Sequence, residues 1–201
     1  MKVFLKIASY IFHPLLMPFL GAVLYYAVTP RFIEPQIKTA TLSALVIITF
    51  LIPIVVFFLL KNLRLVTSIH LLSVRERKLP LMIHSLLILL VIKSIYTPYS
   101  NPELYFFFVG VLFSTIAAFV LVLLGFKASL HQMAVAGVTA FLIGLSIHFT
   151  INLLPVIALS FIINGWVASS RLLNKAHTLM ELIVGFVVGA FPQFILYNFW
   201  L

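Results

Sequence analysis

Apolar residues fill this chain in runs of about 20, interrupted by short polar stretches, from one end to the other. Each run is near the length a helix needs to cross about 30 Å of hydrocarbon. None shows the period-two alternation that marks a membrane barrel. The pattern predicts an all-α fold, a polytopic transmembrane helical bundle of six to seven spans. The candidate spans are roughly 3–28, 38–60, 81–99, 104–126, 132–150, 154–169 and 177–200. The first contains His13-Pro14 and Pro18. Proline removes a backbone donor and kinks or ends a helix, so this segment is expected to cross with a break or to re-enter. The sixth is short and is expected to tilt or to extend at its ends.

Three connections carry most of the charge: 61–80, 127–131 and 170–176. The others, 29–37, 100–103 and 151–153, are poorer in charge, and Pro98-Tyr99-Ser100-Asn101-Pro102 is strong turn chemistry. The charged connections follow the second, fourth and sixth spans, so an even count of crossings separates them and they face one side of the membrane. An odd count between any two would forbid a shared site. The first span precedes all three, so its break leaves this conclusion intact.

Composition agrees with the pattern. Hydrophobic residues make up 64% of 201 residues and charged ones 8%, and the mean hydropathy is +1.24. A soluble domain of this size could not bury so much apolar surface. No polar stretch is long enough for a soluble domain, so residues 1–201 read as a single transmembrane domain with a motif-bearing core at about 61–200. Cysteine is absent, which excludes disulfides and thiolate metal sites. The net charge of +9 is scattered over loops. It suits membrane-lipid headgroups or a phosphorylated substrate, and offers no continuous basic surface for nucleic acid. Lys2 and Lys6 before an apolar run superficially resemble a signal peptide. No small-residue cleavage site with a polar mature chain follows, so the segment is read as a span.

Charge near a membrane segment is costly and usually kept for function, and the chain has only four acidic residues and six histidines. In the third cluster, His177 and Glu181 are four apart and would share a helix face. A carboxylate there can accept from one ring nitrogen, fix the tautomer and leave the other lone pair free for attack. Arg171 offers a planar fork for phosphate oxygens, and helix-start N–H groups add anion affinity. A polar helix end with an incidental His–Glu pair is the plainer alternative. The second cluster holds Lys127, Ser129 and His131. The histidine could donate a proton to a leaving oxygen, the serine could bind an anion, and the lysine adds charge. Alternatively, Ser129 caps the fifth span and His131 lies at the interface. The first cluster, Arg75, Arg77 and Lys78 before Pro80, could hold phosphate or anchor the span at lipid headgroups. Together the three supply cations for phosphate, a histidine acid and an Arg–His–Glu nucleophile unit. That is equipment for phosphoryl transfer through a phosphohistidine, with no metal or cofactor needed.

These residues resemble the type 2 phosphatidic acid phosphatase superfamily of integral membrane lipid phosphatases, whose motifs are K-x6-R-P, P-S-G-H and S-R-x5-H-x3-D. Ser170, Arg171, His177 and Glu181 match the third, with Glu for Asp. Ser129 and His131 match the second, with Ala128 and Leu130 where proline and glycine are usual. The first is degenerate: Leu72 and Leu79 stand where the family has Lys and Arg before Pro80, so Arg75, Arg77 or Lys78 would serve from a shifted position. The resemblance covers about 75–181. It implies His177 as nucleophile, Glu181 as its orienting carboxylate and His131 as general acid, with Arg171, Ser129 and Arg77 on phosphate. It implies a phosphatase acting on a lipid phosphomonoester or pyrophosphate: phosphatidate, phosphatidylglycerol phosphate, a polyprenyl pyrophosphate or a lipid A phosphate. The alternative is a non-catalytic lipid-phosphate binder or transporter, favoured by the degenerate first motif and Leu130. A membrane protein with no site is a third reading.

The expected location is the cell membrane, a bacterial inner membrane. With seven spans, Lys2, Lys6, Lys61, Arg64 and Lys175 share the side of the clusters, against Arg31 and Lys38 opposite. The positive-inside rule turns the clusters to the cytoplasm, whereas many bacterial members of the resembled family work on the outer face. His13, His70, His84 and His148 lack partners at metal-ligand spacing and are read as packing residues. Lys93 is expected to snorkel toward Tyr96, and Trp166 and Trp200 to sit in interfacial belts.

Overall fold

A computed structural model describes residues 2–66 and 73–201, with side chains from Ile7 onward. His70 and Leu72, and the side chains of Lys2 and Lys6, lie outside the described residues. The described chain is all helix: α1 (Lys2–Ile11), α2 (Met17–Val28), α3 (Pro35–Val46), α4 (Ile52–Asn62), α5 (Lys78–Ser94), α6 (Pro102–Leu123), α7 (Leu130–His148), α8 (Leu154–Leu173) and α9 (Leu179–Leu196). A π turn, Ile47–Leu51, joins α3 to α4 into one span, Pro35–Asn62. Pro53 has no N–H for the preceding turn, and the ladder widens just ahead of it. This span and those of α6, α7, α8 and α9 are the five helices long and apolar enough to cross a membrane.

The expected break in the first span occurs at Phe12–Leu16, around His13-Pro14, and divides it into a ten-residue and a twelve-residue helix. The third expected span is α5, which runs 78–94 rather than 81–99, because the turn chemistry before Pro102 begins earlier than expected. The sixth expected span is 20 residues long and reaches Leu173. Ser170 and Arg171 therefore stand on the last turn of α8 and not in a linker. Trp200 is no lipid-facing belt residue: it is buried against Phe141, His148 and Tyr197. Trp166 packs edge-on against Phe12, and Lys93 is exposed beside buried Tyr96.

α7 is the central helix, 67% buried over its spanning window, against 11% for Pro35–Asn62. Its main partner is α9. Gly185 and Gly189, one turn apart on α9, let the two backbones meet. A Cβ at Gly185 would lie 2.6 Å from the Ser129 carbonyl oxygen, and one at Gly189 would overlap the Met133 carbonyl. Helices in lipid have no hydrophobic force between them, so close approach of small residues supplies their packing. At the opposite membrane face, the fully buried Glu103 carboxylate at the start of α6 meets Arg31 at 2.7 Å and His148 at 2.9 Å. Tyr25 donates to it at 3.3 Å. This cluster ties α2, α6 and α7 together at the far end, and it gives His148 a carboxylate partner that its sequence spacing did not suggest.

Candidate functional site

The close α7–α9 approach brings two helix starts side by side, and the Ser129 N–H donates to the Glu181 carbonyl at 2.9 Å. Ser129 is the N-cap of α7, its hydroxyl oxygen accepting from the Gln132 N–H at 3.4 Å. Thr178 is the N-cap of α9 and forms a capping box with Glu181: Thr178 Oγ1 accepts from the Glu181 N–H, and Glu181 Oε2 accepts from the Thr178 N–H at 3.1 Å. The same Oε2 lies 2.8 Å from His177 Nδ1. An ionised carboxylate only accepts, so the proton sits on Nδ1 and the lone pair is left on Nε2. His177 precedes the helix rather than sharing its face. Capping geometry, not the i,i+4 face, makes the pair.

The chain returns to His177 through a tight stop after α8. Ala176 N–H bonds to the Arg171 carbonyl and Lys175 N–H to that of Leu172, with Lys175 at φ 50 in the left-handed region. This paired closure of a helix end reverses the chain in three residues. It leaves Arg171 and His177 on the same rim.

Two guanidiniums stand there. Arg77, 4% exposed, donates through Nη1 to the Ala128 carbonyl at 2.9 Å. Arg171, 6% exposed, donates through Nη1 to Ser9 Oγ at 3.4 Å. Its Nε–H is buried with no hydrogen-bond partner, and it makes no ion pair among the described residues. A buried donor without a partner is costly. Burial lowers the Arg77 pKa to about 10, with Glu181 opposing and Arg171 assisting. Burial likewise pushes His177 down to about 4; Arg77 and Arg171 add to the shift while Glu181 resists it. At neutral pH its ring is the free base.

Arg77, Arg171, His131 and His177 line one cavity of about 700 Å³. Its polar rim gives way to an apolar body walled by Phe50, Phe57, Leu87, Val111 and Ala134, with Gln193 at its inner end. His84 lines it too, and its Nδ1 has no partner among the described residues. Of the remaining sequence candidates, Lys127 borders a shallower depression with His177, Thr178 and Glu181. Ser129 is fully buried, Arg75 and Lys78 are exposed, and none of these three lines the cavity.

Sequence reasoning missed the contribution of α1. Ser9 and His13 line the cavity. His131 Nε2 lies 3.1 Å from the Ser9 carbonyl oxygen, and the His13 and His131 rings meet edge to face at 5.4 Å. The His13-Pro14 break was the available signal. The Gly185-x3-Gly189 spacing was a second, as a close-packing motif. No protein-family model, curated protein or solved structure matches this chain.

Proposed function

We propose that this protein is an integral membrane phosphatase that hydrolyses a lipid phosphomonoester or pyrophosphate through a phosphohistidine at His177. The observation that carries the reading is the His177 Nδ1–Glu181 contact of 2.8 Å on the rim of a cavity shared with Arg77, Arg171 and His131. A neutral imidazole with its tautomer fixed is a competent nucleophile. Two buried guanidiniums suit three phosphoryl oxygens and their developing charge. The apolar body below suits a hydrocarbon chain.

In the proposed reaction, the Nε2 lone pair forms a bond to phosphorus. The bond from phosphorus to the ester or bridging oxygen breaks with its electron pair. His131, carrying a proton on both ring nitrogens in the substrate complex, gives that oxygen its Nδ1 proton and keeps the one on Nε2, and the alcohol or lipid phosphate departs. Water then attacks phosphorus, His131 takes its proton, the P–N bond breaks, and inorganic phosphate leaves with Nε2 restored. Every group needed is a side chain of this protein.

The test is phosphate release by purified protein from phosphatidate, phosphatidylglycerol phosphate, a polyprenyl pyrophosphate and a lipid A phosphate, with and without chelator. The expected result is vanadate-sensitive release that survives chelation and falls by about a thousandfold or more in His177→Ala. Wild-type activity in that variant would sink the proposal. Tight binding of lipid phosphate with no turnover would favour the binder or transporter. We further propose a bacterial inner membrane as the location. The loop charges favour a cytoplasmic site.

A further inference from the structure

We propose that Ser9, near the end of α1, is a positioning residue of the anion site: its carbonyl fixes the proton of His131 on Nε2, and its hydroxyl holds the Arg171 guanidinium. The inference rests on the reading of this site as a phosphate site.

The origin is local. Pro14 has no N–H and cannot extend α1, which ends at Ile11. A helix end leaves its last four carbonyls without intrahelical partners, and that of Ser9 is among them. It faces His131 Nε2 at 3.1 Å. A carbonyl only accepts, so Nε2 must donate, and Nδ1 is the nitrogen left to exchange a proton with a bound ligand. The contact strengthens when His131 is charged, so the carbonyl supports the acid form that the leaving oxygen requires. The His13 ring, edge-on at 5.4 Å, braces the imidazole from another side.

The hydroxyl does different work. Ser9 Oγ lies 2.8 Å from Ser170 Oγ and accepts from Arg171 Nη1 at 3.4 Å. Its oxygen accepts from Arg171 while the hydroxyl pairs with that of Ser170. The guanidinium is thus held at one corner while its Nε–H remains without a partner. A serine serving only its own helix would bond back to the carbonyl four residues earlier. This one reaches two residues of α8 and, through its backbone, one of α7. α1 carries none of the motif residues, yet it touches two of the four polar side chains that meet at the rim.

Two measurements on the full chain in detergent or nanodiscs test this, and neither depends on turnover. In ¹⁵N-histidine-labelled protein, assigned by comparison with His131→Gln, the expected His131 signals are those of the Nε2–H tautomer. The Nδ1–H tautomer overturns the carbonyl's role. In titrations with orthovanadate, Ser9→Ala is expected to bind about fivefold more weakly than the wild type, since one long charge-assisted hydrogen bond is lost. Ser9→Thr is expected to restore the affinity. Equal affinity of wild type and Ser9→Ala, or no restoration by threonine, overturns the hydroxyl's role, and absence of vanadate binding by the wild type overturns both. A wild type that binds vanadate but hydrolyses no lipid phosphate counts against the phosphatase alone. The tautomer experiment needs no Ser9 variant, so it holds even if Ser9→Ala misfolds.

Discussion

At the scale of single residues, the site turns on how few carboxylates the protein places near its cations. Glu181 is asked to cap α9 through Thr178 and to hold the proton of His177 on Nδ1. Glu181→Gln keeps the size and loses the charge that stabilises a cationic phosphohistidine. We expect about a hundredfold fall in kcat with a much smaller change in KM, measured on the best lipid substrate. The pH profile follows from burial of His177 beside Arg77. Its pKa is lowered to about 4, and only the neutral ring attacks. Activity that depends on the free base is therefore fully present near pH 6.5 and lost as pH falls through about 4, which the acid limb of kcat/KM reports. An acid limb near pH 6.5 would contradict the arrangement. Arg171, His131, His177 and Glu181 were legible in the sequence because scarce polar residues at fixed spacing stand out against an apolar chain. Ser9 was not, because its role runs through a backbone carbonyl and a hydroxyl that any helix could satisfy internally. The roles first considered for Ser129, Arg75 and Lys78 depended on where their side chains point, which the spacing of a loop does not fix.

At the scale of elements, the site depends on how closely α9 approaches α7. Gly189 has no room for a side chain against the Met133 backbone. Gly189→Leu is expected to destabilise the fold by about 1–3 kcal/mol or more and to abolish vanadate binding, read by thermal unfolding and titration together. Removing the Glu103 carboxylate strips a buried partner from both Arg31 and His148 at the far face. Glu103→Ala is expected to cost about 3 kcal/mol in stability while leaving the affinity of any folded protein for vanadate unchanged. The helices were legible from run length and the break from His13-Pro14. Their ends were less so. The chain has enough apolar residues beyond Ser169 to carry α8 another turn, and capping by Thr178 rather than hydropathy sets the start of α9.

At the scale of the whole molecule, three clusters far apart in the sequence each send one residue to a single cavity: Arg77, His131 and His177, with Arg171 beside the last. The apolar body below the rim predicts a preference for long chains. Filling it with Leu87→Trp is expected to raise KM for long-chain lipid phosphates and to spare short-chain analogues. Membrane sidedness is read by labelling single cysteines from outside, at Tyr99 and at Lys175, both exposed at opposite ends. A cytoplasmic site predicts that Tyr99→Cys reacts and Lys175→Cys does not. The central claim is the covalent intermediate at His177. It is tested most directly by quenching the purified protein in base during turnover of ³²P-labelled lipid phosphate and mapping the label. The account predicts an acid-labile, base-stable phosphoryl group on His177 that is absent, along with turnover, in His177→Ala. Phosphate release that continues at the wild-type rate in His177→Ala would contradict it.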